Sequence, residues 1–464
     1  MSREITEDLI ARQPPEAQAI IRLLLDRLAE LEARLGKSPQ NSSLPPSAQH
    51  PHAKPKRPQR EGKKKKRGGQ KGHQKHYREL IPPEQCNDVI PLRPDACRRC
   101  GKPLVGIDPE PIRHQVWELP EIKPIVTEYQ QHCLACPCCG ITTCASLPPD
   151  VPSGQSGPRL VAFTGLLMGH FRQSKRRAAS LFLEDLLKMP CCASLTVKMQ
   201  NQVAAAIQVP YEQLKDELGK QDQLFMDESP TKQANQKAWL WTAVAPLFAV
   251  FAIFSSRKGD ALPKLLGDSF KGIINCDRAK MYWQAKRLQW CWAHLKRDFQ
   301  ALIDHPDKQV QRLGHDLIRQ VKLIFQHWRR YKKGEISWKT FRKYMSPVRR
   351  KINDLLLCGK FSGNKRLIGM CSELYKHRNW LWTFVDVKDI EPTNNTAERA
   401  LRPAVIYRKL SFGTQSESGS RFVERMLTVS ETCRLQNRSA YDYLTKAVTA
   451  QFSKQAPPSL LPNP

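Results

Sequence analysis

Hydrophobic positions near the N-terminus recur at steps of three and four residues. Ile21, Leu24, Leu28, Leu31 and Leu35 follow the a/d spacing of a heptad seam. The pattern predicts an amphipathic helix within residues 1–37. Because no second apolar segment lies nearby, the seam favours self-association, and packing of the helix on its own chain is the alternative.

A second stretch of apolar periodicity covers residues 151–217 and predicts a helical domain. The pattern breaks at Met189-Pro190, and a fresh helix begins after Ser194. These are the proportions of a helix-turn-helix, with a plain helical linker domain as the alternative interpretation.

Short β-rich runs replace the helical pattern from Asp222 onwards. QLFMDES, AWLWTAVAP and LFAVFAIFSS are followed by a helix-like stretch, by GIINC and by a fifth candidate strand in LQWCWAH. This is the order of a ribonuclease-H-like α/β fold, which we predict for residues 218–415. Amphipathic stretches predict a helical insertion at about residues 297–385, and residues 416–464 predict a helical segment and a disordered tail.

The charge of the chain indicates its class of partner. Lys and Arg number 75 against 44 Asp and Glu, a formal net charge of +31. Nucleic acid is the expected polyanion, because each neutralised phosphate releases condensed counterions. A membrane is disfavoured, since no apolar run reaches the roughly 18–20 residues of a span. The acidic, polar N-terminus is not a secretory signal, so we expect the protein in the cytoplasm.

Residues 38–80 predict a disordered linker, rich first in Ser and Pro and then in basic residues. Its basic run from Lys54 to Arg78 contains a single acid, Glu61. On DNA such a run adds salt-sensitive affinity with little sequence preference. The strongest DNA-binding candidates are Lys63, Lys64, Lys65, Lys66 and Arg67.

Paired cysteines in residues 81–150 predict a zinc-ribbon domain. Both C-x-x-C-G motifs have the spacing of a zinc knuckle, and the β-branched stretch between them predicts a hairpin. Cys133 and Cys138 are alternative ligands at the second motif. Because Pro and Gly there match the turn of the first motif, we predict four structural Zn²⁺ ligands: Cys97, Cys100, Cys136 and Cys139.

Two acids end apolar strands of the predicted core: Asp227 after QLFM and Asp277 after GIINC. Taken singly, each Asp fits the role of a turn residue better. A third acid, Glu398, lies in the first turn of a helix that begins near Thr393 or Asn394, where the Asn pair can cap it. Three such acids can share two Mg²⁺ or Mn²⁺ ions, the arrangement that displaces an oxygen at phosphorus.

The sequence resembles transposases of the insertion-sequence-66 family, a branch of the DDE superfamily, through nearly its whole length. The resemblance rests on NSSLPPS, RGGQKGH, the cysteine module, MDES, NCDRAKMY, CWAHLKRDF, PTNNTAERALRP, RKLSFGTQSESG and SETCRLQNRSAYDYL. The family's D-E-[ST], D-x-x-x-x-Y and N-N-x-A-E-R motifs carry its catalytic triad, which implies Asp227, Asp277 and Glu398 here. MDES departs from the commoner DET form, but no metal ligand is lost.

The resemblance implies a bacterial, nucleoid-associated DNA transposase that cuts and joins DNA with two Mg²⁺ ions. The partners it implies are double-stranded DNA at the transposon terminal repeats and the target, a second copy in a synaptic homodimer, and accessory proteins of the same element. Two alternatives remain: a domesticated or inactive transposase that binds DNA without chemistry, and a nuclease that cuts without joining.

Residues near the triad have weaker predicted roles. Cys291 and His294 form a C-x-x-H motif, which we expect to be structural because zinc needs four ligands; His294 as a proton carrier is the alternative. Glu228 should point away from Asp227 and is left out of the triad. Basic residues around Glu398 are predicted to contact phosphate: Arg399, Arg402, Arg408 and Lys409.

Overall fold

The computed structural model describes residues 7–35, 41 and 78–462. The chain divides into two compact units, one of residues 1–51 and 124–464 and one of residues 52–123. Most of the predicted basic linker lies outside the described residues, including Lys63, Lys64, Lys65, Lys66 and Arg67.

Helices account for most of the larger unit. Its described helices are α1 (Glu7–Ala11), α2 (Pro15–Leu35), α3 (Pro158–Gly169), α4 (Lys175–Arg177, continued as a π-helix over Ala178–Leu186), α5 (Ala193–Ala206), α6 (Gln208–Leu218), α7 (Ala261–Leu266), α8 (Trp292–Ile303), α9 (Lys308–Lys332), α10 (Trp338–Lys360), α11 (Lys365–Lys376), α12 (Asn379–Asp386), α13 (Asn395–Ser411), α14 (Glu417–Leu435) and α15 (Ala440–Phe452). The strands are β1 (Cys133–Ala135), β2 (Thr142–Cys144), β3 (Gln223–Gln233), β4 (Gln236–Val244), β5 (Ala249–Phe254), β6 (Ile273–Cys276) and β7 (Leu288–Trp290).

The predicted N-terminal helix is present as α2. Leu24, Leu28 and Leu31 of the heptad seam are 57%, 55% and 51% exposed, so the described part of the chain does not cover this face. Self-association through the seam stays a prediction. None of the helices described is long and apolar enough to cross a lipid bilayer.

Strands β3 to β7 form a five-stranded sheet in the order β5-β4-β3-β6-β7. The pairs β5–β4 and β4–β3 are antiparallel, whereas β3–β6 and β6–β7 are parallel. All five strands that the hydrophobic pattern predicts are therefore present. One detail differs, because β3 continues six residues beyond Asp227 to Gln233, where it pairs with β4.

Strand β5 lies at one edge of this sheet, and α14 covers it. Polar side chains of the helix accept hydrogen bonds from alternate backbone N–H groups of the strand. Four residues of helix rise about 6.0 Å and two residues of strand about 6.6 Å, so the two series stay in register. The pairs are Ala249 N–H to Thr432 Oγ1 at 3.2 Å, Phe251 N–H to Thr428 Oγ1 at 3.0 Å, and Ile253 N–H to Glu424 Oε1.

Helices α8 to α12 lie between β7 and α13 in the chain, where the sequence predicts a helical insertion. The amphipathic helices α9 and α10 begin at side-chain caps, Asp307 and Ser337. Their apolar faces meet through an aromatic cluster in which Trp328 lies 5.6 Å from Phe341 and 5.9 Å from Phe384 between ring centroids.

The helical segment before the sheet also follows the predicted pattern. The helical structure is interrupted between Leu186 and Ala193, where α5 begins. Helix α5 packs closely on α3, because a Cβ added at Gly165 of α3 would lie 2.8 Å from Val203 of α5. A helix-turn-helix stays a prediction.

Near the C-terminus, the segment that the sequence predicts to be a disordered tail makes ordered contacts. Leu460 is fully buried, and the carbonyl of Pro458 accepts from the Tyr443 hydroxyl at 2.9 Å.

The cysteine segment differs from the predicted ribbon. Strands β1 and β2 flank the second knuckle, with Cys133 and Cys144 joined as a disulfide, and no strand forms within residues 104–132. Pro120 and Pro124 interrupt the β-branched stretch there, and each lacks the N–H that a strand ladder needs. The hairpin predicted between the two knuckles is therefore wrong.

Candidate active site

The sheet register brings the two predicted aspartates together. Phe225 of β3 pairs with Asn275 of β6, and Asp227 and Asp277 each lie two residues further along these parallel strands. Neighbouring strands run about 4.8 Å apart, and residues two apart share a face. Asp227 and Asp277 therefore occupy adjacent positions at the carboxyl end of β6.

Asn394 anchors the helix that carries Glu398. Its side-chain amide donates to the carbonyl of Met226 at 2.7 Å, next to Asp227, and its backbone N–H donates to Cys291 Sγ at 3.1 Å. The predicted side-chain cap is wrong: Asn394 is the N-cap residue of α13, but its side-chain oxygen accepts no hydrogen bond from the first turn among the described residues. The hydrogen bond to the Met226 carbonyl ties the first turn of α13, with Glu398, to the strand of the first acid.

A second asparagine fixes the loop before that helix. Asn275 is fully buried in β6, where it accepts from Gln223 at 2.9 Å and donates to the carbonyl of Glu391 at 2.6 Å. The backbone N–H of Trp292 donates to the carbonyl of Pro392 at 2.9 Å. The loop at residues 391–394 thus crosses the carboxyl ends of β6 and β7.

The electrostatics of Asp227 identify a cluster of acids. Burial raises the pKa of its carboxyl well above the usual range, and the negative charges of Glu228, Asp277 and Glu398 raise the pKa further. The one opposing contribution is the Glu228 N–H, which donates to Asp227 Oδ1 at 2.9 Å. The structure therefore brings all three predicted acids into one electrostatic neighbourhood.

Glu228 belongs to this neighbourhood as well. Its side chain is 3% exposed, accepts from the Tyr282 hydroxyl at 2.5 Å and pairs with Arg257 at 2.5 Å. Burial and the charge of Asp277 raise its pKa, whereas Tyr282 and Arg257 lower it. The alternation of side chains along a strand gave no hint of this role, because Arg257 comes from the loop after β5 and Tyr282 from the 3₁₀ helix Lys280–Gln284 that follows β6.

Glu398 faces two basic side chains of α8. Its Oε1 lies 3.6 Å from His294 Nδ1 and its Oε2 lies 3.7 Å from Arg297. Glu398 Oε1 and His294 Nδ1 are both buried without a hydrogen-bond partner among the described residues. Together with Cys291 Sγ they form a group whose ligand atoms all lie within 4.8 Å of one another, a spacing that suits a metal ion.

Cys291 itself is a buried thiol at the start of α8. Burial raises its pKa to about 11, whereas the N–H groups of Asn394, His294 and Ala293 lower it. The thiol accepts from the Asn394 N–H and so helps to hold the loop before α13 on α8; a purely structural role for Cys291 and His294 stays a prediction.

Asp298 and Arg278 are site residues that the sequence interpretation did not select. Burial raises the pKa of Asp298, and Arg278, which lies 3.5 Å from it, lowers that pKa. Arg278 also lies 3.8 Å from Glu373 of α11. The signal for Asp298 was present in the sequence, since it follows His294 by four residues on α8 and so shares its face.

The predicted phosphate-binding residues divide into two groups. Arg399, Arg402 and Lys409 are exposed on α13, as a contact with DNA requires. Arg408 instead donates to Ser229 Oγ at 3.0 Å and to the carbonyl of Pro230, so it ties α13 to β3.

The two cysteine knuckles have the same local geometry. In the first, the Gly101 N–H donates to the Cys97 carbonyl at 2.9 Å; in the second, the Gly140 N–H donates to the Cys136 carbonyl at 2.9 Å. The two glycines have φ values of +70° and +72°, which favour glycine. Backbone N–H groups within each turn lower the pKa of Cys97 and of Cys136, which favours the thiolate that zinc binds.

Comparisons with known proteins bear on this arrangement. Residues 157–421 match the Transposase IS66 family, more than half of the chain and a span that contains all three acids. Residues 6–79 match a family of unknown function (DUF6444). The uncharacterized protein y4qI of Sinorhizobium fredii is 24% identical over 335 residues, which cover 64% of this chain. The chain spans 60% of the length of that relative.

Proposed function

The chain belongs to the Transposase IS66 family, and we propose that it is a DNA transposase that cuts transposon ends and joins them to target DNA. The observation that carries the proposal is the meeting of Asp227, Asp277 and Glu398, which are 50 and 121 residues apart in sequence, in one electrostatic cluster. Acids whose pKa is strongly raised by burial and by other acids are typical of functional sites.

A ribonuclease-H-like core is part of this proposal. The strand order β5-β4-β3-β6-β7, antiparallel on one side of β3 and parallel on the other, supports it. So does the position of the acids, because ligands of open α/β sheets bind at the carboxyl ends of the parallel strands.

The donor set suits Mg²⁺ or Mn²⁺. Both ions prefer carboxylate oxygens, and a divalent cation would offset the mutual repulsion that raises the pKa of Asp227. Glu398 Oε1 is buried and lacks a hydrogen-bond partner among the described residues, as a ligand oxygen would be. Asp227, Asp277 and Glu398 would hold two such ions, which activate the attacking oxygen and stabilise the leaving one.

The remaining work falls to the chain's own side chains. In cleavage, the oxygen of water bonds to phosphorus as the bond from phosphorus to the 3′ oxygen breaks; in joining, the freed 3′ hydroxyl oxygen attacks a target phosphorus and displaces the target's 3′ oxygen. Asn394 holds α13 on β3, so Glu398 stays near the strand of Asp227. Arg297, 3.7 Å from Glu398, orients its carboxylate.

The cysteine knuckles and the basic surface residues would bind zinc and DNA and would take no part in the phosphoryl-transfer chemistry. Cys97 and Cys100 at the first knuckle, and Cys136 and Cys139 at the second, would be thiolate ligands of structural Zn²⁺, and the matching turns with thiolate-favouring N–H groups support this assignment. The net charge of +31 and the exposed Arg399, Arg402 and Lys409 support contact with double-stranded DNA. A homodimer would synapse two transposon ends, and accessory proteins of the same element complete the proposed partners.

A cleavage and strand-transfer assay on a DNA end with Mg²⁺ tests the proposal. Wild type should yield both nicked and joined product, and Asp227→Asn should lose about a thousandfold in rate, because it removes a ligand without changing shape. Asp268→Asn, an exposed Asp in the turn before β6, is the matched control and should keep the wild-type rate.

The outcomes separate the alternatives. Nicking without joined product would indicate a nuclease that does not transpose. DNA binding with no Mg²⁺-dependent nicking in wild type would indicate a non-catalytic DNA-binding descendant of a transposase. Equal rates in wild type and Asp227→Asn would refute the assignment of the acids.

A further inference from the structure

A basic groove opens beside the acid cluster. It has a volume of about 690 Å³, and Asp277 lies on its wall. Arg257 and Lys258, from the loop after β5, line one side, and Arg278 and Lys280, from the turn after β6, line the other. Four cations thus surround a space whose lining contains one acid, a composition that fits a phosphodiester backbone.

Hydrogen bonds and a ring contact hold the walls of the groove. Arg257 Nε donates to Glu228 at 2.9 Å, and its guanidinium lies 4.9 Å from the ring centroid of Trp239. The side chain of Gln284 donates to the Gly259 carbonyl and so joins the two walls. Lys258 and Lys280 are exposed and form no ion pair with the acids that the structure describes, so their charges remain available to a ligand.

An aromatic shelf adjoins the groove. It consists of Trp283, His377 and Trp380, all half-buried: Trp283 lies 4.6 Å from His377, and His377 stacks on Trp380 at 4.4 Å between ring centroids. Lys280 connects the two features, since its ammonium lines the groove and lies 5.6 Å from the Trp283 ring centroid.

Cations alongside partly exposed rings are the combination that binds single-stranded nucleic acid. The cations follow the phosphates and the rings stack on bases. In duplex DNA the base faces are already stacked on each other, so only unpaired nucleotides can use the shelf. We propose that the basic groove and the aromatic shelf bind an unpaired DNA segment next to the reacting phosphate. This rests on the proposed function, because it takes DNA as the substrate of the acid cluster.

The test is a binding measurement on the full chain without added Mg²⁺ or Mn²⁺, so that no cleavage occurs and no structural Zn²⁺ is removed by a chelator. The DNA probes are a duplex with a short single-stranded overhang that contains 2-aminopurine, and the same duplex with a blunt end. Wild type should bind the overhang about tenfold more tightly than the blunt end. It should also quench the 2-aminopurine fluorescence, because a stacked base loses emission.

Two sets of variants separate the shelf from the groove. Trp283→Leu should lose the quench and the overhang preference, while Trp283→Phe should retain both. Trp338→Leu, in the α9–α10 aromatic cluster and not part of the shelf, is the control. Each phosphate contact with a single strand contributes roughly 0.7 to the slope of log affinity against log salt. Replacing Lys258 and Lys280 together with Ala removes two such contacts and should therefore make the slope shallower by about 1.4. Lys264→Ala, whose lysine already pairs with Asp260 at 3.0 Å, should leave the slope unchanged.

Equal affinity for the two probes, or a quench that survives Trp283→Leu, would overturn the proposal and leave a site for duplex backbone alone. An unchanged salt slope in the double lysine variant would show that Lys258 and Lys280 of the groove do not contact DNA phosphates. Because no metal is added, these results do not depend on cleavage: nicking with Mg²⁺ but no overhang preference refutes only this inference, and the preference without nicking refutes only the proposed function.

Discussion

Asp227 at the acid cluster and Glu424 under the edge strand β5 are two buried acids with opposite surroundings. Burial is the largest cause of the raised pKa in both. The charges that face Asp227 are those of other acids, whereas Glu424 accepts from the Ile253 N–H and lies 3.1 Å from Arg421. A raised pKa therefore does not by itself identify a functional acid; the sign of the neighbouring charges does.

The comparison has an energetic meaning. Donors and cations around Glu424 offset part of the cost of burying it, whereas the like charges around Asp227 add to that cost, which a cationic ligand can recover. The free energy of unfolding should therefore rise when a charge is removed from the acid cluster. It should fall when a polar group that accepts a hydrogen bond from β5 is removed from α14.

Glu424 should make stability depend on pH. Its pKa is raised from 4.5 to about 7, so between these values the folded chain retains a proton that the unfolded chain releases. The free energy of unfolding therefore falls as pH rises through this window and is level above it. At about 1.4 kcal/mol per pH unit, ionisation of Glu424 should lower the free energy of unfolding by on the order of 3 kcal/mol across the window.

Denaturant unfolding at about pH 5 and about pH 8 measures this effect. The difference between the two values should shrink in Glu424→Gln and persist in Glu417→Gln, a change at the exposed start of the same helix. The same difference in wild type and Glu424→Gln would contradict the assignment of the proton to Glu424.

Thr428→Val should destabilise the covered edge by about 2 kcal/mol, because the buried Phe251 N–H loses its acceptor while the side chain keeps its shape. Thr449→Val on α15 is the matched control, since that hydroxyl is exposed and bonds only to the Thr445 carbonyl of its own helix. Equal midpoints of thermal unfolding for the two variants would show that the hydrogen bond from Phe251 N–H to Thr428 does not stabilise the fold.

Asp227→Asn should raise the free energy of unfolding by about 1 kcal/mol in the absence of divalent ions, because it removes one of several like charges and keeps the oxygen that accepts from the Glu228 N–H. Asp268→Asn should change it little. A loss of stability in Asp227→Asn would mean that this acid is held like Glu424 and would weaken the comparison.

The sequence predicted the elements of the core well, because strands and helices follow from local periodicity. Each of the five strands and the helix of Glu398 comes from residues that are neighbours in the chain. The extension of β3 beyond Asp227 was missed, since the polar stretch Pro230–Gln233 is strand only through its pairing with β4.

The polar contacts that assemble the site were beyond local inference. Asn394 was taken as a helix cap on good local grounds, but its amide bonds to Met226, 168 residues earlier. Glu228 was set aside by strand alternation, although Arg257 and Tyr282 come from later segments to surround it. Such partners depend on tertiary packing, which no spacing in a single segment encodes.

The cover of β5 also has a consequence for the order of synthesis. The acceptors for Ala249, Phe251 and Ile253 lie 171 to 183 residues later in the chain. While the ribosome is still adding those residues, the rim of the nascent sheet is an open template for other polypeptides. A product truncated before Glu417 keeps that template permanently, so premature termination should yield an aggregation-prone fragment rather than a merely shortened chain.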